Sequence, residues 1–247
     1  MSVVTRVTDA TFTSHTGHDV RIPYQETCLG MYFMGGTQGA SIANRANPAA
    51  PLQVIGTPTY GPNYARLTNT IGFQTPFNLT AYGHTAIIIA TDPIRDLPDA
   101  FGRTMGPQTV FWLNRGADRR VYWNDSSSDW AVSSSGTTAI TGGPGVVRSA
   151  NPSQDQYSYI SLVEGGQLVR YDREDRYGIT PWAVNSSGTP GYASLPYQIG
   201  ARGFGDPGSF RCAAAAFYDR ALPLDEAFRV WRFLWDEIGA RGIRHTG

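Results

Sequence analysis

Residues 197–241 read YQIGARGFGDPGSFRCAAAAFYDRALPLDEAFRVWRFLWDEIGAR, and this stretch decides the fold. Tyr197 to Ala201 is a short run entering a glycine-rich turn, Gly203 to Gly208. Phe210 to Tyr218 is apolar, rich in alanine, and ends in aromatics. Bounded by Pro207-Gly208 and Pro223, it is too short for a free helix despite its alanines. The context predicts an extended strand of small residues at a crowded sheet centre, where another layer approaches closely. From Asp225 to Ile238 the apolar residues Ala227, Val230, Trp231, Leu234 and Ile238 recur at helical spacing. Asp225 and Glu226 put negative charge in the first turn, and Arg241-Gly242 close the far end.

Working outward, the 247 residues include 28 Gly and 16 Pro, which with one convincing helix predict an all-β architecture with many turns. Formal net charge is zero, so no global field draws the chain to nucleic acid or an anionic membrane. All 20 basic residues are Arg, which reads as genomic base composition more than chemistry, although Arg also suits stacking and bidentate contacts. There is no apolar run of spanning length, and Met1-Ser2-Val3 opens without a signal-peptide pattern. The expectation is synthesis in the cytoplasm and no membrane insertion. Cys28 and Cys212 lie in apolar strand-like runs and read as buried thiols rather than a bridge.

Residues 1–24 are polar and threonine-rich, an N-terminal arm or linker preceding a domain over 25–247 whose closing helix spans 225–240. His15, His18 and Asp19 on that arm form a solvated turn rather than a metal site, since no fourth ligand is in sight. Thr27 to Met34 is the first strand and Thr85 to Thr91 the long central one, both apolar on two faces. Gly35 to Pro51 is a loop, and Asp92 to Gly106 an irregular excursion. An internal echo follows: Trp130-Ala131-Val132-Ser133-Ser134-Ser135-Gly136-Thr137 matches Trp182-Ala183-Val184-Asn185-Ser186-Ser187-Gly188-Thr189. Each copy is preceded by a strand, a glycine turn and another strand. Two copies are too few for a solenoid or propeller, and two antiparallel meanders suit a jelly roll, with chance convergence of hairpin chemistry as the alternative.

The segment Phe217-Tyr218-Asp219-Arg220-Ala221-Leu222-Pro223-Leu224-Asp225-Glu226 resembles the closing corner of laminin-G-like and concanavalin A-like jelly-roll domains. There a final inner strand ends in a "YDRAL"-type corner before a short acidic helix start. The resemblance covers about residues 27–240 and is concentrated at the end. It implies an all-β, two-sheet antiparallel jelly-roll sandwich with a short C-terminal helix. It also implies that the first and last strands lie side by side, which would bring Cys28 near Cys212.

For chemistry, the best-supported class is carbohydrate recognition. Sugars offer apolar ring faces and dense hydroxyls, so sites combine aromatics with Asn, Asp, Arg and Ser. The paired hairpins supply that mixture in Trp123, Asn124, Asp125, Trp130, Arg170, Tyr171, Asp172, Arg173, Tyr177 and Trp182. The bland alternative places the tryptophans in sheet packing. No catalytic residues are assigned. Asp172 and Glu174 stand at i, i+2, the geometry of a retaining glycosidase pair, but Asp172-Arg173-Glu174-Asp175-Arg176 reads better as a solvated hairpin tip. There is no nucleophile elbow, zinc spacing or P-loop, and no cofactor is called for. Calcium held by Asn124, Asp125 and Asp129 is a loose alternative to a turn. On the helix, Phe228, Phe233 and Trp235 lie off the main stripe. They are candidate oligomer contacts, with docking by the helix in a groove of its own chain as the alternative.

Domains resembling this one occur on the surface of bacteriophage and phage-like particles. The resemblance therefore implies a virion surface protein (spike, fibre or decoration) that binds host cell-surface polysaccharide, on an oligomer where weak sites add avidity. Its partners would be that polysaccharide and other virion proteins. Two rivals stand beside it: a purely structural virion protein, and a glycan-degrading enzyme using Asp172 and Glu174.

Overall fold

A computed structural model describes residues 21–79, 83–91, 109–115, 119–124, 129–134, 140–141, 157–165, 168–175, 178–185, 195–201 and 209–241, with the stretches between 109 and 195 described as backbone only. In chain order the strands are β1 (Cys28–Phe33), β2 (Gln53–Ile55), β3 (Thr59–Tyr60), β4 (Ala65–Thr68), β5 (Gly72–Leu79), β6 (His84–Thr91), β7 (Thr109–Arg115) and β8 (Arg119–Asn124). They continue with β9 (Asp129–Ser134), β10 (Ile140–Thr141), β11 (Tyr157–Gly165), β12 (Leu168–Asp175), β13 (Gly178–Asn185), β14 (Leu195–Gly200) and β15 (Ser209–Tyr218). Helix α1 (Gln38–Ile42) interrupts the segment expected to be loop, and α2 (Leu224–Ala240) closes the fold.

The strands form two antiparallel sheets. One has the order β13-β12-β11-β6-β15-β4-β3 with β1 also on β15, and the other β10-β9-β8-β7-β14-β5-β2. The alanine-rich run is extended, as its context predicted, and sits at the centre. β6 pairs along one edge of β15, while β4 and β1 share the other edge, β4 over Ser209–Cys212 and β1 over Ala214–Tyr218. A bulge between Cys212 and Ala214 turns Ala213 and Ala214 to the same side.

The described centre of this sheet, β1, β6 and β15, is buried on both faces. Toward the second sheet it presents Tyr32, Leu67, Ala86, Ile88, Phe210, Ala215 and Phe217, which meet Phe73, Tyr197 and Ile199. Toward α2 it presents Met31, Phe33, Ile87, Ile89, Ala213, Ala214, Ala216 and Tyr218. The alanines explain why a helix can lie so close, since a larger side chain would hold the layers apart. All eight residues of β6 are buried, the signature of a strand with neighbours on two faces. Close approach also fixes Gly72, where an added Cβ would fall 2.0 Å from the Ile199 carbonyl oxygen.

Helix α2 buries Ala227, Val230, Trp231, Leu234 and Ile238, the stripe its spacing predicted. Asp225 and Glu226 occupy the positive end of its dipole, and Glu226 pairs with Arg220 of the preceding corner. Thr85 ties that corner to β6: its hydroxyl donates to the Arg220 carbonyl and accepts the Leu222 N–H, both at 2.9 Å. Ile22 is buried in the helix-side cluster, and Tyr24 packs against it.

The expected neighbouring of β1 and β15 holds, but the expected closeness of the cysteines does not. The pairing is antiparallel and sets Cys28 opposite Tyr218. Cys212 therefore lies six residues further along β15, about 20 Å away. Both thiols are free and buried. Burial pushes Cys28 up from 9.0 to about 12, against hydrogen bonds from Tyr218 and the Gly30 backbone, and pushes Cys212 up as well. Neither thiol should react with Ellman's reagent in the folded chain, and both should react in guanidinium. The unfolded Cys28 thiol ionises near 9.0 and the folded one near 12. Its contribution to stability is thus intact below pH 9.0 and is lost as pH rises toward 12. Fast labelling of the native chain at neutral pH would contradict this placement.

Candidate carbohydrate-binding site

The internal echo corresponds to real topology. β7-β8-β9 and β11-β12-β13 are successive antiparallel meanders, one in each sheet, with the two Trp-Ala-Val segments as their third strands. Register places Trp123 directly opposite Trp130, and Tyr171 directly opposite Trp182. In both copies the tryptophan position of the third strand is thus the register partner of an aromatic position on the second.

Rows of register partners then assign each position to a sheet face. Trp182, Tyr171 and Leu162 stand in one row with Ala86, a residue on the side toward the second sheet. Arg173, opposite Ile160 and hence in the row of Ile88, has the same parity. Arg170 and Asp172 stand in the rows of Thr85 and Ile87, on the opposite face, since Ile87 packs on the helix side. In the second sheet, Val121 pairs with Leu113 and through it aligns with Ile199, an inter-sheet core residue. Trp123 and Trp130 share that parity, and Asn124, opposite Asp129, has the other. The ten sequence candidates are therefore not one cluster. Four aromatic positions fall on inward rows, whereas Asn124 lies on the outer face of one sheet and Arg170 and Asp172 on the outer face of the other. Asp125 and Tyr177 lie outside the described residues.

Asp172 and Glu174 belong to β12 itself, opposite Pro181 and Ile179. The charged run expected as a hairpin tip is paired strand through Asp175, so the two carboxylate positions share a face as i, i+2 requires. Asn124 and Asp129 close the end of β8–β9. Their proposed calcium partner Asp125, and the arm carrying His15, His18 and Asp19, are outside the described residues. Among the described residues no group of three or more His, Cys, Asp or Glu could hold a metal. No described helix is long and apolar enough to cross a membrane.

On α2, Phe233 and Trp235 are half-buried and packed against the helix-side core of their own chain. Phe228 is 41% exposed. Phe228, Trp231 and Trp235 form a ladder with centroids 5.1 and 6.4 Å apart. The groove of the chain itself accounts for much of the off-stripe aromatic surface.

Sequence reasoning missed a polar feature at the other end of the helix. The Arg241 guanidinium lies over the Phe33 ring at 4.7 Å, and Arg211 over Tyr64 at 4.7 Å. Asn63 donates to the Arg241 carbonyl at 3.3 Å. Arg66 stands directly opposite Arg211 and donates from Nε to the Ser209 hydroxyl at 2.9 Å. Burial, then the nearby Arg45 charge, lowers the pKa of Arg241, and Glu237 opposes the shift. These residues are scattered over the chain, and only pairing of β4 with β15 and docking of α2 assemble them.

No described protein family matches the chain, and no curated protein does. Solved structures share its fold. The sialidase of Trypanosoma rangeli is 14% identical over 90% of this chain and 34% of its own, with a TM-score of 0.58. The botulinum neurotoxin serotype D ligand-binding domain, solved with N-acetylneuraminic acid, is 7% identical over 84% of this chain and 51% of its own, with a TM-score of 0.59. The binding domain of botulinum neurotoxin DC, solved with SialylT, is 6% identical over 85% of this chain and 52% of its own, with a TM-score of 0.57. The chain spans about a third to a half of these structures. At such identities the likeness is one of architecture: an all-β, two-sheet antiparallel jelly-roll sandwich with a C-terminal helix.

Proposed function

We propose that the chain is a carbohydrate-binding domain. The observation that carries this reading is the match of 84% of the chain to a ligand-binding domain solved with N-acetylneuraminic acid, at a TM-score of 0.59. Fold alone does not set function, so the residues matter. We assign sugar hydroxyls to the outer-face positions Arg170 and Asp172. Trp123, Trp130, Tyr171 and Trp182, on inward rows, are assigned to packing. The finer role, attachment of a phage or phage-like particle to host polysaccharide from the virion surface, rests on the resemblance of residues 217–226 to closing corners of such domains.

A glycan array probed with the purified chain tests the reading. Arg170→Ala and Asp172→Ala should each weaken binding about ten-fold, the worth of a charge-assisted hydrogen bond, without shifting Tm. Trp182→Ala should instead lower Tm. Undiminished binding by both polar variants would remove this face from the site. Glycan hydrolysis is a second reading because Asp172 and Glu174 share a face of β12. It predicts reducing-end release from a bound polysaccharide that disappears in Asp172→Asn and Glu174→Gln, and persistence of release in both would exclude the pair.

A further inference from the structure

We infer that the outer face of the second sheet carries a binding site for an uncharged glycan chain, with a row of carboxamides, Gln53, Gln74 and Gln198, as its hydrogen-bonding floor. Register sets the three opposite one another on β2, β5 and β14, and continues the row to the Asn114 position on β7. Their chain neighbours Val54, Phe73 and Ile199 pack between the sheets, so strand alternation turns the row to the outside. Side-chain bonds join the row into a ladder. Gln198 Nε2 donates to Gln74 Oε1 at 3.2 Å, and Gln74 Nε2 donates to Gln53 Oε1 at 3.1 Å. Four successive strands therefore offer a carboxamide position at one level, over about 14 Å. Among the described residues the two buried clusters lie between the sheets and under α2, and neither reaches this face.

The ladder leaves most of the amide capacity unspent. A carboxamide has two N–H donors and two oxygen lone pairs. Gln74 uses one of each, Gln198 a single N–H and Gln53 a single lone pair. Among the described residues each therefore keeps both a donor and an acceptor for an outside group. Gln53 is exposed, and Gln74 and Gln198 are half-buried. The ladder already fixes their rotamers, so binding costs little further side-chain entropy. Charge decides the class of occupant. β2, β5 and β14 contain no Asp, Glu, Lys, Arg or His, and charge enters the row only at Arg120, opposite Asn114 on β8. An ionic partner finds no counter-charge on these three strands. A hydroxyl group does match, because like the amide it donates and accepts at once. Pro76 and Asn78 continue the outer side of β5, both exposed, and the proline sets an apolar ring beside the polar row. An uncharged molecule with dense hydroxyls and apolar ring faces is a neutral saccharide. A row crossing four strands suits a chain of such rings rather than one.

This site rests on the carbohydrate-binding reading, and one set of measurements separates their failures. The full chain is applied to an array of linear neutral oligosaccharides, from single hexoses to octasaccharides, printed beside glycans that carry uronic acids. Neutral tetrasaccharides and longer chains should bind about ten-fold or more better than single hexoses. Gln74→Ala/Gln198→Ala should cut that binding about ten-fold, as the loss of two neutral hydrogen bonds requires. Gln53→Ala, at an exposed position where truncation leaves the fold intact, should cut it about three-fold. In an NMR titration with the neutral tetrasaccharide bound best on the array, the side-chain NH2 signals of the three glutamines should shift. Neutral binding that survives both variants, with those signals unmoved, would overturn the inference and leave the broader reading standing. Binding confined to the acidic glycans would do the same. Sedimentation showing that the chain self-associates, with the association lost in the double variant, would make this face a contact between copies and overturn the glycan assignment. Silence across the whole array would sink both readings.

Discussion

Phe217→Ala will lower the free energy of unfolding by about 3–5 kcal/mol, the range for truncating a fully buried phenylalanine. Phe217 is completely buried on the inter-sheet face of β15. Its ring meets Tyr32 and Phe77 edge-on at 6.3 and 5.8 Å, and Tyr197 at a tilt and 5.7 Å. Such ring pairs contribute beyond the area they bury, and the strand carrying them has neighbours along both edges, so backbone shifts cannot readily collapse the cavity. Phe217→Leu keeps most of the volume and should cost about half as much. Urea titration monitored by circular dichroism measures both. A loss below about 1 kcal/mol for the alanine variant would mean that the centre of the sandwich is not where β15 puts it.

Asn44→Ala should be comparably damaging, at about 3 kcal/mol or more, although it removes only a small polar side chain. Asn44 is 3% exposed and lines the edge of β1 that has no strand partner among the described residues. Its Oδ1 accepts the N–H groups of Met31, Ala46 and Asn47 at 3.1, 2.9 and 3.1 Å. Its Nδ2 donates to the Leu29 and Ala50 carbonyls at 3.0 and 3.1 Å and toward the Tyr32 hydroxyl at 3.2 Å. Together with the Arg45 N–H on the Met31 carbonyl, these bonds satisfy the edge of β1 that no described strand covers. Each buried backbone group left without a partner costs about 1–3 kcal/mol, so the expected loss follows from two or three orphaned groups. Asn44→Asp should give no rescue, because a carboxylate turns acceptor toward acceptor at Leu29 and Ala50. The amide of Met31 should exchange with solvent much faster in Asn44→Ala than its neighbours on β15. Equal exchange would show that water or another group covers the edge.

Several elements were legible in the residues because local pattern and tertiary environment agree. The alanine run is bracketed by proline and glycine, and it forms the central strand. The helix stripe named from spacing is the buried set of α2. The Gly35–Pro51 segment was less legible. Its Asn44 reads as an ordinary turn residue, and nothing in its neighbourhood announces that it closes a strand edge about 15 positions away. The cysteines show a different limit. Two strands can be known to be neighbours while the register between them is unknown, and a shift of six residues separates Cys28 from Cys212. The tryptophans of the echo show a third. Their hairpins are visible in the sequence, but which face each occupies depends on its row across several strands.

By itself, then, the sequence determined the class of architecture, the central strand, the closing helix and its buried stripe. Those depend on periodicity, glycine and proline punctuation, and side-chain size within a few residues of one another. Tertiary structure alone decided the separation of the thiols, the division of the sugar-site candidates between faces, the edge-covering role of Asn44 and the gathering of Arg45, Arg66, Arg211 and Arg241. Register and layer packing join residues up to some two hundred positions apart, and no local pattern encodes the phase at which two strands meet.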